Sequence, residues 1–300
     1  MSIKVLACPH CGAPIPPESG KSVVCRYCER VLVGLPRSWW ARPVAVPPWE
    51  GRASDHGKSR VGLGAASWVL DRHLATGESC EVFLAHRDAR LTQRVVMKLA
   101  TDDGARLRRE LGVVRRLRQS SAPGSDHFVR LLPSPVVWGT PRGDRAAPFA
   151  VATRWRPGFV HTAADLRSRR LDPRVAVWIG KRLLEQLAWL HGAGFVHGAV
   201  SPEHTLVHAR DHGAVLVGWS RASWRHGRGG ASTRDDIAQA VQVAASLLVD
   251  APSALVRFLQ AHADVARCGG DALAVHAALI RVSREALGRP RHAPVNGAAS

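Results

Sequence analysis

The hydrophobic pattern of the chain changes near residue 157, and this change constrains the fold more than any other feature. Before it, short apolar runs alternate with turn residues, which is typical of β-strands. We expect strands over 68–74, 81–86, 93–100, 128–132 with 136–137, and 149–155, and one helix over 106–119. After residue 157, helical periodicity dominates. The pattern predicts an α+β protein in which a β-rich part precedes a helical part.

The helical part has its own start signals. Helices are predicted over 163–169 and 172–191, the second with Asp172 as N-cap and Pro173 in the first turn. A short strand pair is expected at 205–207 and 215–217, followed by further helices. An apolar share of 46% supports a folded protein. We divide the chain into a cysteine-rich unit, a linker rich in Pro, Trp and Gly, a β-rich part, a helical part and a flexible tail, over residues 1–35, 36–67, 68–157, 158–287 and 288–300.

Two CxxC pairs lie close to the N-terminus. Their spacing is typical of a structural zinc site with four thiolate ligands, Cys8, Cys11, Cys25 and Cys28. Four thiolates leave no open coordination position, so this zinc ion would not be catalytic; a redox-active CxxC is the alternative. Because some 35 residues cannot bury a core, the metal would supply most of the folding energy. Cys80 and Cys268 have no partners at ligand spacing and are expected to be ordinary thiols.

The net charge is +18, yet the basic residues are scattered. Only five of the 42 basic residues are lysines, which we attribute to the base composition of the genome. Nucleic-acid binding is the weaker alternative, because no basic run alternates with aromatic residues. No signal peptide opens the chain, and no apolar run is long enough to span a bilayer. We therefore expect a cytoplasmic protein with no membrane partner.

Several residues of the β-rich part follow the order of a nucleotide-binding motif. The turn Ala75-Thr76-Gly77-Glu78-Ser79-Cys80-Glu81-Val82 keeps one glycine of a GxGxxGxV pattern. Lys98 follows on an apolar strand, and Glu110 lies on the next helix. This part of the chain resembles the protein kinase-like superfamily, and the resemblance extends over residues 68–287. It implies a bilobal kinase-like fold and a nucleotide cleft lined by Gly77, Val82, Lys98, Glu110, Thr153 as gatekeeper, Trp155 in the hinge, and Leu206.

The same resemblance places the chemical positions in the helical part, where the chain departs from the family pattern. His197-Gly198-Ala199 resembles the His-Arg-Asp loop, or the His-Gly-Asp loop of aminoglycoside phosphotransferase-like enzymes, with Ala199 in place of the aspartate. His204 replaces the metal-binding asparagine, and Gly218 replaces the aspartate of Asp-Phe-Gly. The activation segment before Asp235 is short. Asp236 is expected to have a structural role, and His197 is expected to hold its loop through a hydrogen bond to the backbone.

These departures predict a pseudokinase: a protein with a zinc ribbon that acts as a signalling adaptor or allosteric scaffold for a protein partner, as in bacterial signalling systems. ATP is a candidate ligand, but a tightly held magnesium ion is not expected, because the carboxylates that would bind it are absent. Lys98 and Glu110 could instead serve only to fix the helix. Two alternatives stay open: an active atypical phosphotransferase that uses Glu203, His204 or Asp211, and a nucleic-acid or protein binding module.

Overall fold

The computed structural model describes the backbone of four short strands between residues 6 and 33. It describes residues 59–90, 93–156, 158–208, 212–225, 231–293 and 295 in full. The four short strands form two antiparallel hairpins, β1 (Leu6–Ala7) with β2 (Pro14–Ile15) and β3 (Ser22–Val24) with β4 (Val31–Val33). The predicted zinc ligands Cys8, Cys11, Cys25 and Cys28 lie outside the described residues, in sequence between the two strands of each hairpin.

A seven-stranded antiparallel sheet forms most of residues 59–156, which we call the sheet region. Its strands are β5 (Arg60–Leu63), β6 (Ala66–Thr76), β7 (Cys80–Arg87), β8 (Arg94–Ala100), β9 (Pro135–Gly139), β10 (Arg142–Gly143) and β11 (Ala150–Arg154). The order across the sheet is β10-β5-β6-β7-β8-β11-β9. The sheet curls, because its two ends approach each other where Gly64 lies against Val137.

The two faces of this sheet are covered differently because side chains alternate along a strand. On β8, Val95, Met97 and Leu99 are buried in the concave core of the curled sheet. The opposite face carries Lys98 and Ala100, and helix α1 (Ala105–Leu117) packs there through Leu107 and Leu111. The helix therefore lies on the same side of the sheet as the predicted lysine.

Residues 158–295, the helical region, contain the larger core. Helices α3 (Pro173–Gly192), α4 (Thr233–Ala245), α5 (Ser253–Ala263) and α6 (Ala272–Leu287) surround this core, and a four-residue helix, α2 (Ser125–Phe128), precedes it in the chain. The short strands of the helical region are β12 (Phe159–Thr162), β13 (Phe195–Val196), β14 (Thr205–His208), β15 (Gly213–Leu216) and β16 (Ser223–Trp224). The protein is thus a mixed α+β molecule.

The caps of the helices follow the sequence signals. Asp172 accepts the N–H of Arg174 at the start of α3, with Pro173 in the first turn, as predicted. Ser232 and Asp235 form a reciprocal capping box at the start of α4. None of the helices in the described ranges is both long and apolar enough to cross a membrane.

Four sequence predictions fail. The strand predicted over 128–132 is instead the end of α2 followed by a 3-10 turn, Val129–Leu131. The helix predicted over 163–169 contracts to a 3-10 turn, Ala164–Leu166. Both stretches are too short for periodicity to identify their structure.

The other two failures concern domain ends. The predicted linker 36–67 already contains β5 and the first residues of β6. Of the tail predicted to be flexible over 288–300, the described residues include buried Ala293 and Val295, and the His212 Nε2–H donates a hydrogen bond to the Ala293 carbonyl oxygen at 2.8 Å.

Candidate functional site

Lys98 occupies the centre of the sheet face that α1 covers. It lies opposite Val82 on β7 and opposite Val151 on β11. Its Nζ donates to Glu110 Oε1 at 2.6 Å, and the two side chains are only 15% and 11% exposed. Burial alone would lower the pKa of Lys98, but the negative charge of Glu110 and its hydrogen bond outweigh burial and raise it. Lys98 is therefore held as a cation, and the predicted pairing with Glu110 is confirmed.

The turn between β6 and β7, next to this ion pair, is held by backbone hydrogen bonds. Gly77 N–H donates to the Cys80 carbonyl oxygen at 2.9 Å, and the Ser79 carbonyl oxygen accepts the Thr101 N–H at 3.0 Å. A phosphate-binding loop instead directs free backbone N–H groups at its ligand. Because the Gly77 N–H is used within the turn, this hairpin offers one donor fewer than a glycine-rich loop.

Glu78, at the tip of the hairpin, joins the sheet region to the helical region. Its carboxylate accepts from Arg221 Nη2 at 2.7 and 2.9 Å and from Arg106 Nη1 at 2.8 Å. These two arginines lower the pKa of Glu78. Sequence reasoning missed this contact, because 143 residues separate Glu78 from Arg221 and no local spacing connects them.

Asp236 holds the loop that carries Ala199 through hydrogen bonds to the loop backbone. The Asp236 carboxylate is fully buried and accepts the backbone N–H of His197 at 2.7 Å, the backbone N–H of Gly198 at 2.8 Å and His191 Nε2–H at 2.9 Å. Gly198 has a positive φ of 72°, and a β-carbon there would lie 2.9 Å from the Arg221 carbonyl oxygen. The structural role predicted for Asp236 is confirmed, and a glycine is required at position 198.

The three positions expected to lack chemistry are in mutual contact. The His204 Nδ1–H donates to the Ala199 carbonyl oxygen at 2.8 Å. The His204 ring covers Gly218, whose φ is +77°, so that a β-carbon there would lie 2.6 Å from the ring. An imidazole therefore fills the space in which a side chain at position 218 would start. Helix α1, which carries Glu110, packs against the following turn, Trp219–Arg221.

His197 differs from its predicted role. Its side chain is fully buried, and neither ring nitrogen makes a hydrogen bond of ordinary geometry to a described residue. Burial lowers the pKa of His197 to about 4, although Asp236, Glu110 and the Val217 carbonyl partly oppose this effect. The ring packs edge-on against Trp219 at 4.5 Å between centroids. The loop is thus held by the backbone N–H groups described above, not by the His197 imidazole.

The remaining predicted residues are dispersed. Thr153 lies on β11 opposite Val96, and its hydroxyl donates to the Val96 carbonyl oxygen at 3.4 Å. Trp155 follows β11, with its backbone N–H on the Arg94 carbonyl oxygen at 3.3 Å. Leu206 lies on β14 of a separate three-stranded sheet, opposite Val215. Leu206 thus lies two residues beyond His204, while Thr153 and Trp155 belong to the sheet region.

Glu203 and Asp211 are the two carboxylates predicted as possible replacements for the absent ones. Glu203 is 61% exposed and faces Arg167 at 3.7 Å. Asp211 lies outside the described residues. Across the part of the chain that the structure describes, no three His, Cys, Asp or Glu side chains converge on a point that could hold a metal ion.

Comparison with known proteins does not supply a family. No protein-family model matches the chain, and no curated protein matches it.

Proposed function

We propose that this protein is a kinase-like scaffold without phosphotransfer activity, a pseudokinase that acts as an adaptor or allosteric partner in a signalling system. One observation supports the proposal. His204 contacts both Ala199 and Gly218, helix α1 with the Lys98–Glu110 ion pair packs against the turn after Gly218, and none of these three positions has a carboxylate.

The chemistry of phosphoryl transfer explains why this matters. The attacking hydroxyl needs a base or an orienting carboxylate, and the metal that bridges the phosphates needs oxygen ligands. The methyl group of Ala199 cannot accept a proton, and Gly218 has no side chain to bind magnesium. His204 already donates Nδ1–H to the Ala199 carbonyl oxygen. None of the three positions supplies a carboxylate oxygen.

The residues at the hairpin next to the site also disfavour tight nucleotide binding. A nucleotide would need cations and free N–H groups near the hairpin, whereas Glu78 places a carboxylate there and engages Arg106 and Arg221. The Lys98 ammonium has three N–H donors, so its hydrogen bond to Glu110 leaves donors for a phosphate. We therefore propose that any ATP binding is weak and independent of magnesium.

The N-terminal unit belongs to the same proposal. Each cysteine pair falls in sequence between the two strands of one hairpin, an order that suits a zinc ribbon. Cys8, Cys11, Cys25 and Cys28 would hold a structural zinc ion, and this unit would offer the scaffold a second surface for its protein partner.

The experiment has two measurements on the purified full chain. Thermal unfolding is followed with ATP, with ADP and without nucleotide, each with and without magnesium, while mass spectrometry detects phosphate transferred to the protein or to a generic protein substrate. We expect no transfer above background and no magnesium-dependent shift of the unfolding temperature. Lys98→Met is the matched variant. Transfer by the wild type that Lys98→Met abolishes would overturn the proposal.

A further inference from the structure

A groove on the helical region is separate from the site above. It lies between one face of α3 and one face of α6, and residues 288–291 and His212 close its end. It encloses a cavity of about 100 Å³. The lining residues recur at helical spacing, which brings Val177 and Lys181 of α3 toward Ile280 and Arg284 of α6. The groove is thus formed by two regular helices.

The lining is strongly basic. It carries six cations and, among its described residues, no aspartate or glutamate; the six are Arg174, Lys181, Arg182, Arg284, Arg289 and Arg291. Two of them have acidic partners just outside the groove. Arg174 lies 3.3 Å from Asp172, and Arg182 lies 2.6 Å from Glu185. No described carboxylate lines the groove, whereas the exposed residues Arg284, Arg289 and Arg291 do, so its lining is positively charged.

An aromatic stack forms one wall. Trp178 stacks on His212 with ring centroids 4.6 Å apart, and His212 stacks on His292 at 4.0 Å. Trp178 lines the cavity and is only 9% exposed, yet its shielded Nε1–H has no hydrogen-bond acceptor among the described residues. The nitrogen is shielded from solvent, so the stack forms a wall of the groove and contributes no hydrogen-bond donor to it.

We propose that this groove binds a compact anion that bears phosphate groups, such as an inorganic oligophosphate. Guanidinium groups bind phosphate oxygens through paired, charge-assisted hydrogen bonds, and cations from three segments converge on one cavity. A multivalent anion fits better than a single carboxylate, because it neutralises several of the six cations at once.

The shape of the groove favours a small ligand over a nucleic-acid strand. The cavity is small and closed at one end by the chain after α6. The Trp178 ring is stacked on His212 and is not displayed for a base. A strand would need a long positive track with open aromatic faces, whereas this groove concentrates its charge at one point.

The test measures binding of sodium tripolyphosphate to the full chain by titration calorimetry. Arg284→Ala with Arg289→Ala is the test variant, since both side chains are exposed and their removal leaves the core intact. Arg281→Ala is the matched control, because Arg281 is equally exposed on α6 but does not line the groove. We expect saturable binding at one site, about 10-fold weaker binding for each lining arginine removed, and less than a twofold change in the control.

Two further measurements distinguish a small phosphate ligand from nucleic acid, and the groove from the site at Lys98. Single-stranded DNA of 12 nucleotides should bind more weakly than tripolyphosphate, and Lys98→Met should leave tripolyphosphate binding unchanged. The indole N–H resonance that is missing from Trp178→Phe should shift when tripolyphosphate is added to the wild type.

Absence of saturable binding, an equal loss in Arg281→Ala, or tighter binding of DNA would each overturn the proposal. Loss of binding in Lys98→Met would assign the anion to the other site and overturn it too.

Discussion

The two sides of the site between the sheet and helical regions differ in what their charged groups do. On the sheet side, Lys98 and Glu110 form an ion pair that faces the site. On the helical side, Asp236 carries the charge, but its three hydrogen bonds all point into the protein and fix the loop backbone. The positions of that loop that face the site hold Ala199 and His204. The shape of the loop that carries Ala199 and its chemistry therefore depend on different residues.

The largest expected effect tests the helical side. Asp236→Ala removes a buried carboxylate and leaves two backbone N–H groups and His191 without their acceptor. We expect a loss of about 3–5 kcal/mol in the free energy of unfolding, because breaking a buried charged network is strongly destabilising. Urea unfolding followed by circular dichroism measures the loss.

The neighbouring residue supplies the control. Asp235→Ala removes only the exposed half of the capping box with Ser232, which costs about 1 kcal/mol. Equal losses in the two variants would contradict the view that Asp236 is the main anchor of the loop.

The second effect is the pH dependence of the free energy of unfolding that comes from His197 in the same loop. Burial lowers the pKa of His197 from 6.5 to about 4, so between these values the unfolded chain binds a proton that the folded chain does not. Stability should therefore fall as the pH drops from 6.5 to 4, by up to about 3 kcal/mol from this residue. Urea unfolding at several pH values should show a shallower slope in His197→Gln than in the wild type. Parallel slopes would mean that His197 takes up its proton in the folded protein.

The third effect tests the sheet side. Lys98→Met leaves the buried Glu110 carboxylate without its partner and should cost about 1–3 kcal/mol. The double variant Lys98→Met with Glu110→Gln should recover part of that loss, because no unpaired charge remains. Denaturant unfolding of the two single variants and the double variant gives the coupling energy of the pair. Strict additivity would contradict a direct interaction.

Much of this comparison could be predicted from the sequence where a local pattern fixes the geometry. Alternation along β8 separates Lys98 from the apolar core, and helix α1 follows at once, so the partner Glu110 could be named. The structural role of Asp236 could be predicted from its place at the start of α4. Both predictions could be made because Glu110 and Asp236 match positions of the kinase-like pattern, and the regular elements around them place them accordingly.

Contacts between distant segments could not be predicted. The composition of residues 288–300 indicates a flexible tail, but the buried side chains of Ala293 and Val295 and the hydrogen bond from His212 are contacts over about 80 residues. The run Phe128–Leu132 has the apolar residues of a strand, yet it is too short to distinguish strand from helical turn. The six cations of the α3–α6 groove also look scattered in the sequence, because they come together only when the helices pack.

The smallest effect on stability concerns the contact that joins the two sides. Glu78, Arg221 and Arg106 are exposed, and solvent screens such pairs, so Glu78→Ala should leave the unfolding midpoint unchanged within error. We expect Glu78→Ala to change instead how readily a nucleotide enters the site. Without the carboxylate, Arg106 and Arg221 become free to meet an anion, and a fluorescent ADP analogue should bind several-fold more tightly to Glu78→Ala than to the wild type.

Glu81→Ala is the matched control for this last variant, because Glu81 lies on the same hairpin but pairs with Arg145. An increase in ADP affinity that is equal in both variants would show that any loss of negative charge is sufficient. An increase confined to Glu78→Ala would show that the contact between the hairpin and the Trp219–Arg221 turn excludes the nucleotide. In that case the two sides differ in chemistry but are held closed together by one carboxylate, and an event that releases Glu78 would open the site without altering the Lys98–Glu110 pair.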